Sequence, residues 1–400
     1  MSILGLLGLK TLGAYCFYTV GNVSAVLVGV KCKAGQSPVV PERIGKYIVR
    51  GIDSPLESFP IKRAYSALDE KKQQRIIKKL MTYRPVAELN PNQFPQTVEF
   101  IGHCAANASA NSKYTLQIPS HIHYFRSLSP GYHVQTLIVP TSLIYLGAIR
   151  SRFLHKVTYE GVEVSPVPFH SLSDYLQCPM EQIPQLGSNT FTECPALRII
   201  QLSDRIEKIP KGAMPPRAPS DSILFISPNQ SYELHIPRSL RDAEAEEFRA
   251  AVVKKLIYPH DLNEAFRCRT LPLQKVSHLV IRDSGELEQY TRLLKQGQDP
   301  ESFPDKCLYH LIRRAEHITL PASQKRIFDG MFAGCRDLSR VTVEPETSAI
   351  EEIGNDAFYG CNRLIPEQLL SAVRHIGDRA FQGCQVYKLI LPEGLEHIGT

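Results

Sequence analysis

The sequence predicts an α/β repeat: a solenoid of stacked coils with a parallel concave sheet, a short helical or 3₁₀ convex side, and helical insertions. Three observations predict it. Ala-Phe-x-Gly-Cys recurs as Met331-Phe332-Ala333-Gly334-Cys335, Ala357-Phe358-Tyr359-Gly360-Cys361 and Ala380-Phe381-Gln382-Gly383-Cys384. The phenylalanines stand 26 and then 23 residues apart, a period typical of stacked single-strand coils. Short apolar runs closed by proline recur upstream, as Leu116-Gln117-Ile118-Pro119, Leu234-His235-Ile236-Pro237 and Ile318-Thr319-Leu320-Pro321.

Composition sets bounds on function. Apolar content of 43% and charged content of 22% are those of a folded chain. The net charge of +6, from 46 basic and 40 acidic residues, is small and spread along the sequence. It leaves no basic footprint for nucleic acid, and no nucleic-acid partner is expected. Ten cysteines include no CxxC pair, which argues against a zinc cluster. Cys194, Cys335, Cys361 and Cys384 share one repeat position, as small buried apolar residues do.

Taken in order, residues 1–33 form an apolar N-terminal segment. Thr11–Val30 is twenty residues without a charge, bounded by Lys10 and by Lys31 and Lys33. Its length suits a bilayer span, but Asn22, Ser24, two threonines and three glycines make it only moderately apolar. Three readings stand: membrane association through residues 11–30, a signal peptide, or a buried β-hairpin or helix. Residues 34–94 read as linker and helix. Tyr65–Met81 has a capping-box-like start at Ser66 and Asp69, with Leu68, Ile76, Ile77, Leu80 and Met81 on one face. Lys71, Lys72, Arg75, Lys78 and Lys79 on the other make a solvated charged face. Residues 95–240 read as degenerate repeats and 241–315 as a helical insertion, with helices at Arg241–Leu256, Ser284–Lys295 and Asp305–Ala315. Residues 316–400 are the regular repeats.

The register comes from the cysteines. Counted from Cys361, apolar residues fall at Leu364, Leu369, Val373 and Ile376, followed by Gly377, Ala380 and Phe381. Counted from Cys194, the same offsets give Leu197, Leu202, Ile206, Ile209, Ala213 and Met214. Val134–Gly147 likewise runs parallel to Val386–Gly399. The composite Leu-x-x-Ile-x-Leu-Pro-x-x-Leu-x-x-Ile-Gly-x-x-Ala-Phe-x-Gly-Cys resembles the BspA-type leucine-rich repeat. The resemblance is fullest over 317–400, good over 181–214, and confined to the strand over 95–160 and 223–240. The chain departs from the pattern by three extra residues between Val343 and Ile350, one deletion after Cys384, and Leu370 where proline is usual. The resemblance implies a leucine-rich-repeat solenoid, and such proteins are often surface or secreted factors that engage host or neighbouring cells.

Alternation assigns each residue a side. In Leu-x-x-Ile-x-Leu the apolar residues point inward and those between them point out from the concave sheet. The outward set is Thr115, Gln117, Thr136, Ile138, Ile199, Gln201, Glu233, His235, His317, Thr319, Arg340, Thr342, Lys388 and Ile390. Mixed polarity with some isoleucine suits a protein partner better than a small molecule. A carbohydrate or lipid ligand would call for aromatic residues there, and the set has none. Phe332, Phe358 and Phe381 are expected to stack as a spine on the opposite side.

No phosphate loop, dinucleotide fingerprint, HExxH or GxSxG motif occurs. His121-x-His123 reads as a solvent-facing pair without an acidic partner, and His103-Cys104 as sequence neighbours rather than a dyad. The expected function is non-enzymatic protein–protein interaction, with no cofactor, no metal and no catalytic residue. The alternative is an intracellular structural or assembly scaffold in which residues 1–33 are buried.

Overall fold

The structure is a computed structural model that describes residues 3–33, 36, 39–54, 59–84, 94–104, 114–128, 134–161, 185–215, 232–267, 271–299, 302–345, 350–366, 369–385 and 390–400. The chain forms two compact units, Met1–Pro216 and Arg217–Thr400.

The first unit opens with a 3₁₀ turn at Ile3–Leu7 and three antiparallel strands, β1 (Lys10–Leu12), β2 (Tyr15–Val20) and β3 (Ser24–Val30). β4 (Arg43–Ile44) and β5 (Tyr47–Ile52) form a short hairpin, and β5 pairs in parallel with β3. Every residue of β3 is buried. Val26 and Val28 pack in a cluster with Leu4, Leu7, Ile61, Ile76 and Leu80, residues supplied by the 3₁₀ turn and by the helices α1 (Phe59–Ser66) and α2 (Glu70–Leu80). A strand covered on both faces reads as an unbroken apolar run rather than an alternation, which accounts for the apolar run Ala25–Val28 within the uncharged Thr11–Val30 segment. Among the described residues no helix is long and apolar enough to cross a membrane.

The single helix expected over Tyr65–Met81 is divided into α1 and α2. Asp69 interrupts it by capping α2, where its carboxylate accepts from the Lys72 amide at 2.9 Å. Ser66 is not part of a capping box; its hydroxyl donates back to the Lys62 carbonyl at 2.9 Å. Ile76 and Leu80 are buried, and the five basic residues of α2 lie exposed.

Beyond α2 the first unit alternates between two parallel sheets through β6 (Phe100–Cys104), β7 (Tyr114–Gln117), β8 (Tyr124–Leu128), β9 (Val134–Pro140), β10 (Tyr145–Ile149), β11 (Lys156–Glu160), β12 (Gln185–Leu186) and β13 (Ile199–Gln201). The even-numbered strands continue the sheet begun by β1–β5, and the odd-numbered ones form the second. Across from the second sheet, these coils are therefore strand, not helix or 3₁₀ turn. Phe, Tyr and Ile at 100–101, 124–125 and 145–149 favour lateral pairing over a helical return. β14 (Lys208–Ile209) closes the unit.

In the second unit β15 (Tyr232–His235) is followed by β16 (Asp242–Ala243), a 3₁₀ turn at Ala245–Phe248 and β17 (Ala251–Tyr258). The helix expected over Arg241–Leu256 is absent. Its Ala, Glu and Lys content favours a helix locally, but parallel pairing of Val252–Tyr258 with Lys275–Ile281 overrides that weak preference. The stretch 241–315 thus holds coil strands as well as helices: α3 (Glu264–Arg267), β18 (Lys275–Ile281), α4 (Ser284–Lys295) and α5 (Lys306–Arg314). α4 and α5 fall where the sequence places them, capped by Asp283 and Asp305. β19 (Ala315–Pro321), β20 (Arg326–Ile327), β21 (Arg340–Glu344), β22 (Glu352–Ile353), β23 (His375–Ile376) and β24 (His397–Ile398) complete the unit. β15, β17, β18, β19 and β21 lie side by side in one sheet, and β20, β22, β23 and β24 in another.

The regular coils show what each motif residue does. Phe332 and Phe358 stack at 5.4 Å and 20°, and Phe358 and Phe381 at 5.5 Å and 6°. The cysteines do more than fill space: the Cys361 and Cys384 thiols donate to the Phe332 and Phe358 carbonyls, at 3.0 and 3.2 Å. The two glycines answer to different demands. Gly334, Gly360 and Gly383 lie at φ +74°, +72° and +79°, a left-handed turn that side chains resist. At Gly354, Gly377 and Gly399 the cause is close approach, since a Cβ there would stand 2.2, 2.4 and 2.3 Å from the side-chain Oδ1 of Asp329, Asn355 and Asp378. Those same oxygens accept from the backbone amides of Asn355, Asp378 and Thr400 at 3.1, 2.7 and 3.0 Å. One polar side chain per coil thus satisfies a backbone donor of the next.

Candidate interaction surface

Outward side chains of parallel strands align into rows, because register in a parallel sheet carries equivalent positions side by side. In the first unit the rows are Thr115–Thr136–Lys156–Ile199 and Gln117–Ile138–Thr158–Gln201. Thr115, Gln117, Lys156 and Gln201 are exposed, Thr136, Ile138 and Ile199 half-buried, and Thr158 buried. Lys156 and Thr158 were not among the sequence-derived positions.

In the second unit the rows are Lys255–His278–His317–Arg340 and Ile257–Val280–Thr319–Thr342. β17 and β18 supply two columns that sequence reasoning assigned to an insertion. Their signal was present: Val253-x-x-Leu256-x-Tyr258-Pro259 and Val276-x-x-Leu279-x-Ile281 repeat the inward apolar spacing, and all but Pro259 are buried. Arg340 is exposed, His317 and Thr342 half-buried, and Thr319 buried beneath the row of imidazoles. Glu233 and His235 stand apart from these rows, because β15 pairs with β17 only at its start and then splays. Glu233 instead binds Lys254 at 2.7 Å. Ile390 is exposed, and Lys388 lies outside the described residues.

The two histidines form the most ordered polar feature of this face. Their rings stack at 4.1 Å and 5°. His278 Nε2 meets Thr319 Oγ1 at 2.8 Å, Thr319 Oγ1 meets Thr342 Oγ1 at 3.0 Å, and Thr342 Oγ1 meets His317 Nε2 at 2.9 Å. Burial, with His278 and Arg340 alongside, pushes His317 down to about 4. Burial and Lys255 also lower His278.

Other clusters of ionisable groups are taken up by structure. Arg267 binds Asp305 and Glu286 at 2.5 and 2.8 Å and donates to the Tyr258 hydroxyl at 2.9 Å. Asp305 meanwhile caps α5 at the Leu308 amide. His103 Nδ1 meets Ser127 Oγ at 2.7 Å, and Asp53 accepts from the His103 backbone amide. Both contacts tie neighbouring coils laterally. His121 and His123, read from sequence as solvent-facing, are half-buried, and burial lowers both. Among the described residues no three His, Cys, Asp or Glu side chains converge to hold a metal.

Coils that return each chain turn to the same parallel sheet, with inward Leu, Ile and Val and outward polar rows, define a leucine-rich-repeat solenoid. Residues 174–269 and 301–400 match the BspA type leucine rich repeat region in six copies, and these stretches are BspA-type leucine-rich repeats. The match runs through 241–269, where the sequence reading placed an insertion. Among solved structures, the chain is similar to a leucine-rich repeat protein from Bacteroides ovatus, at 14% identity over 98% of this chain and 99% of that one, with a TM-score of 0.21. A leucine-rich cell surface protein from Faecalibacterium prausnitzii matches at 13% identity over 96% and 95%, with a TM-score of 0.24. The pneumococcal vaccine antigen PcpA matches at 12% identity over 96% and 98%, with a TM-score of 0.26. No curated protein matches the chain.

Proposed function

We propose that the chain is a non-enzymatic scaffold that binds a protein partner through the outward rows of its parallel sheets. One observation supports this above others: side chains of mixed polarity, including Ile138, Ile199, Gln201, His317 and Thr342, stand in continuous rows on strands rigidly tied through their backbones. A broad, preorganised surface costs little ordering entropy on association. Its test is surface substitution. Ile138→Arg and Gln201→Arg introduced together should abolish recovery of the partner while leaving the thermal melt unchanged. Undiminished recovery with an intact fold would refute the reading. A role as a surface-associated or secreted factor rests on the family alone, and cell fractionation tests it.

A second reading, a structural or assembly scaffold with residues 1–33 as part of its body, is supported by the complete burial of β3. Deleting residues 1–33 should then yield insoluble chain. A soluble, folded deletion product would refute it.

A further inference from the structure

We propose that the row Lys255–His278–His317–Arg340 is a docking site for an acidic, extended polypeptide laid across β17, β18, β19 and β21. The proposal rests on the sheet-face reading above and names the partner class for its second-unit portion. Four cation-capable side chains stand on four adjacent strands in register. Strands about 4.8 Å apart give the row a span of about 14 Å, close to that of three alternate side chains of an extended peptide. Of the charged groups around it, Glu233, Glu316 and Glu344 are occupied by Lys254, Lys275 and Arg282. The row itself contains no carboxylate.

The hydrogen-bond chain beneath the row determines how the imidazoles meet a ligand. His278, Thr319, Thr342 and His317 are joined by three contacts, but the two hydroxyls supply only two protons. With both rings neutral and both hydroxyl protons kept within the chain, one Nε2 donates and the other accepts, so the two rings hold opposite tautomers. One Nδ1 is therefore a donor and the other an acceptor. No hydrogen bond to either Nδ1 occurs among the described residues. A carboxylate lying over the stack needs donors from both rings, and one proton taken up at the acceptor Nδ1 provides the second. The chain beneath survives this change, because both Nε2 atoms then donate to threonine oxygens and a single hydroxyl proton bridges the two threonines.

Binding is thus coupled to uptake of one proton by the pair. Lys255 and Arg340 oppose that uptake from either side, Glu344 favours it, and a bound carboxylate favours it most. Because both free imidazoles are held below their ordinary range and a bound carboxylate raises them, affinity rises as pH falls.

The test uses the full chain with deca-glutamate as probe and deca-glutamine as neutral control, by calorimetry at pH 5.5–7.5 in buffers of different ionisation enthalpy. Deca-glutamate should bind, deca-glutamine should not, and affinity should rise by about ten-fold across that range. Proton uptake should approach one per peptide at pH ~5.5 and fall away toward pH ~7.5. Lys255→Ala with Arg340→Ala, both exposed, should weaken binding about ten-fold. His278→Gln with His317→Gln, which keeps a polar group at each Nε2 position, should abolish proton uptake. Absence of deca-glutamate binding overturns the proposal, as does binding that neither double variant changes, which would place the acidic peptide elsewhere, for instance on the basic face of α2. Neither result touches the sheet-face reading, which stands or falls on the first-unit substitutions Ile138→Arg and Gln201→Arg.

Discussion

Replacing Phe358 by alanine removes the central ring of the spine. The side chain is fully buried and stacks on Phe332 at 5.4 Å and on Phe381 at 5.5 Å. Close-packed coils on both sides leave little room for collapse into the void, so the cost should be that of a large-to-small change in a rigid core, about 3–5 kcal/mol. In a unit of this size that corresponds to a fall in Tm of about 10 °C. Phe381 is only half-buried, so Phe381→Ala should cost about half as much. The chain has no tryptophan, which makes far-UV circular dichroism the suitable melt signal. A shift of less than about 1 °C for Phe358→Ala, against the roughly 10 °C expected, would refute the stacking, as would an equal loss from Phe381→Ala.

Gly377→Ala sets a Cβ 2.4 Å from Asn355 Oδ1 and 2.6 Å from the Asn355 backbone nitrogen; a lower Tm than for Gly394→Ala, where nothing lies within 4 Å, is the expected result. Acid should weaken the fold. His317, His278, His121 and His123 are all held below the usual imidazole range, so their contribution is complete above about pH 6.5 and is lost as pH falls below it, for His317 down to about 4. The urea midpoint should therefore fall between pH 7 and pH 4.5, and a flat profile would contradict these placements. Burial pushes the Cys194 and Cys335 thiols up to about 12; in the native protein they should resist a disulfide reagent at pH 8 and react only on unfolding.

The spine, the recurrent cysteine and the inward Leu-x-x-Ile-x-Leu register were all legible in the sequence, because each is a local pattern that repeats. What escaped depends on neighbours distant in sequence. β3 is buried throughout because α1, α2 and the 3₁₀ turn cover its second face, which no local pattern reveals. β17 carries Ala, Glu and Lys around its start and pairs as a strand only because β18 lies beside it. With that coil and β18 taken for an insertion, Lys255 and His278 dropped out of the outward set, and the His278–His317 stack was lost with them. The glycine after each Ile was legible as a recurring position, but not for its reason, which is the Asp or Asn of the preceding coil.

Photo-crosslinking compares the two sides of the solenoid most directly. A benzophenone amino acid placed at outward Gln201 or at outward Thr342 should give discrete adducts with a partner, while placement at Tyr359 or Arg363, exposed on or beside the turn that carries the phenylalanine spine, should give none. Adducts from Tyr359 or Arg363 with none from Gln201 or Thr342 would contradict the assignment of the parallel sheet as the binding face.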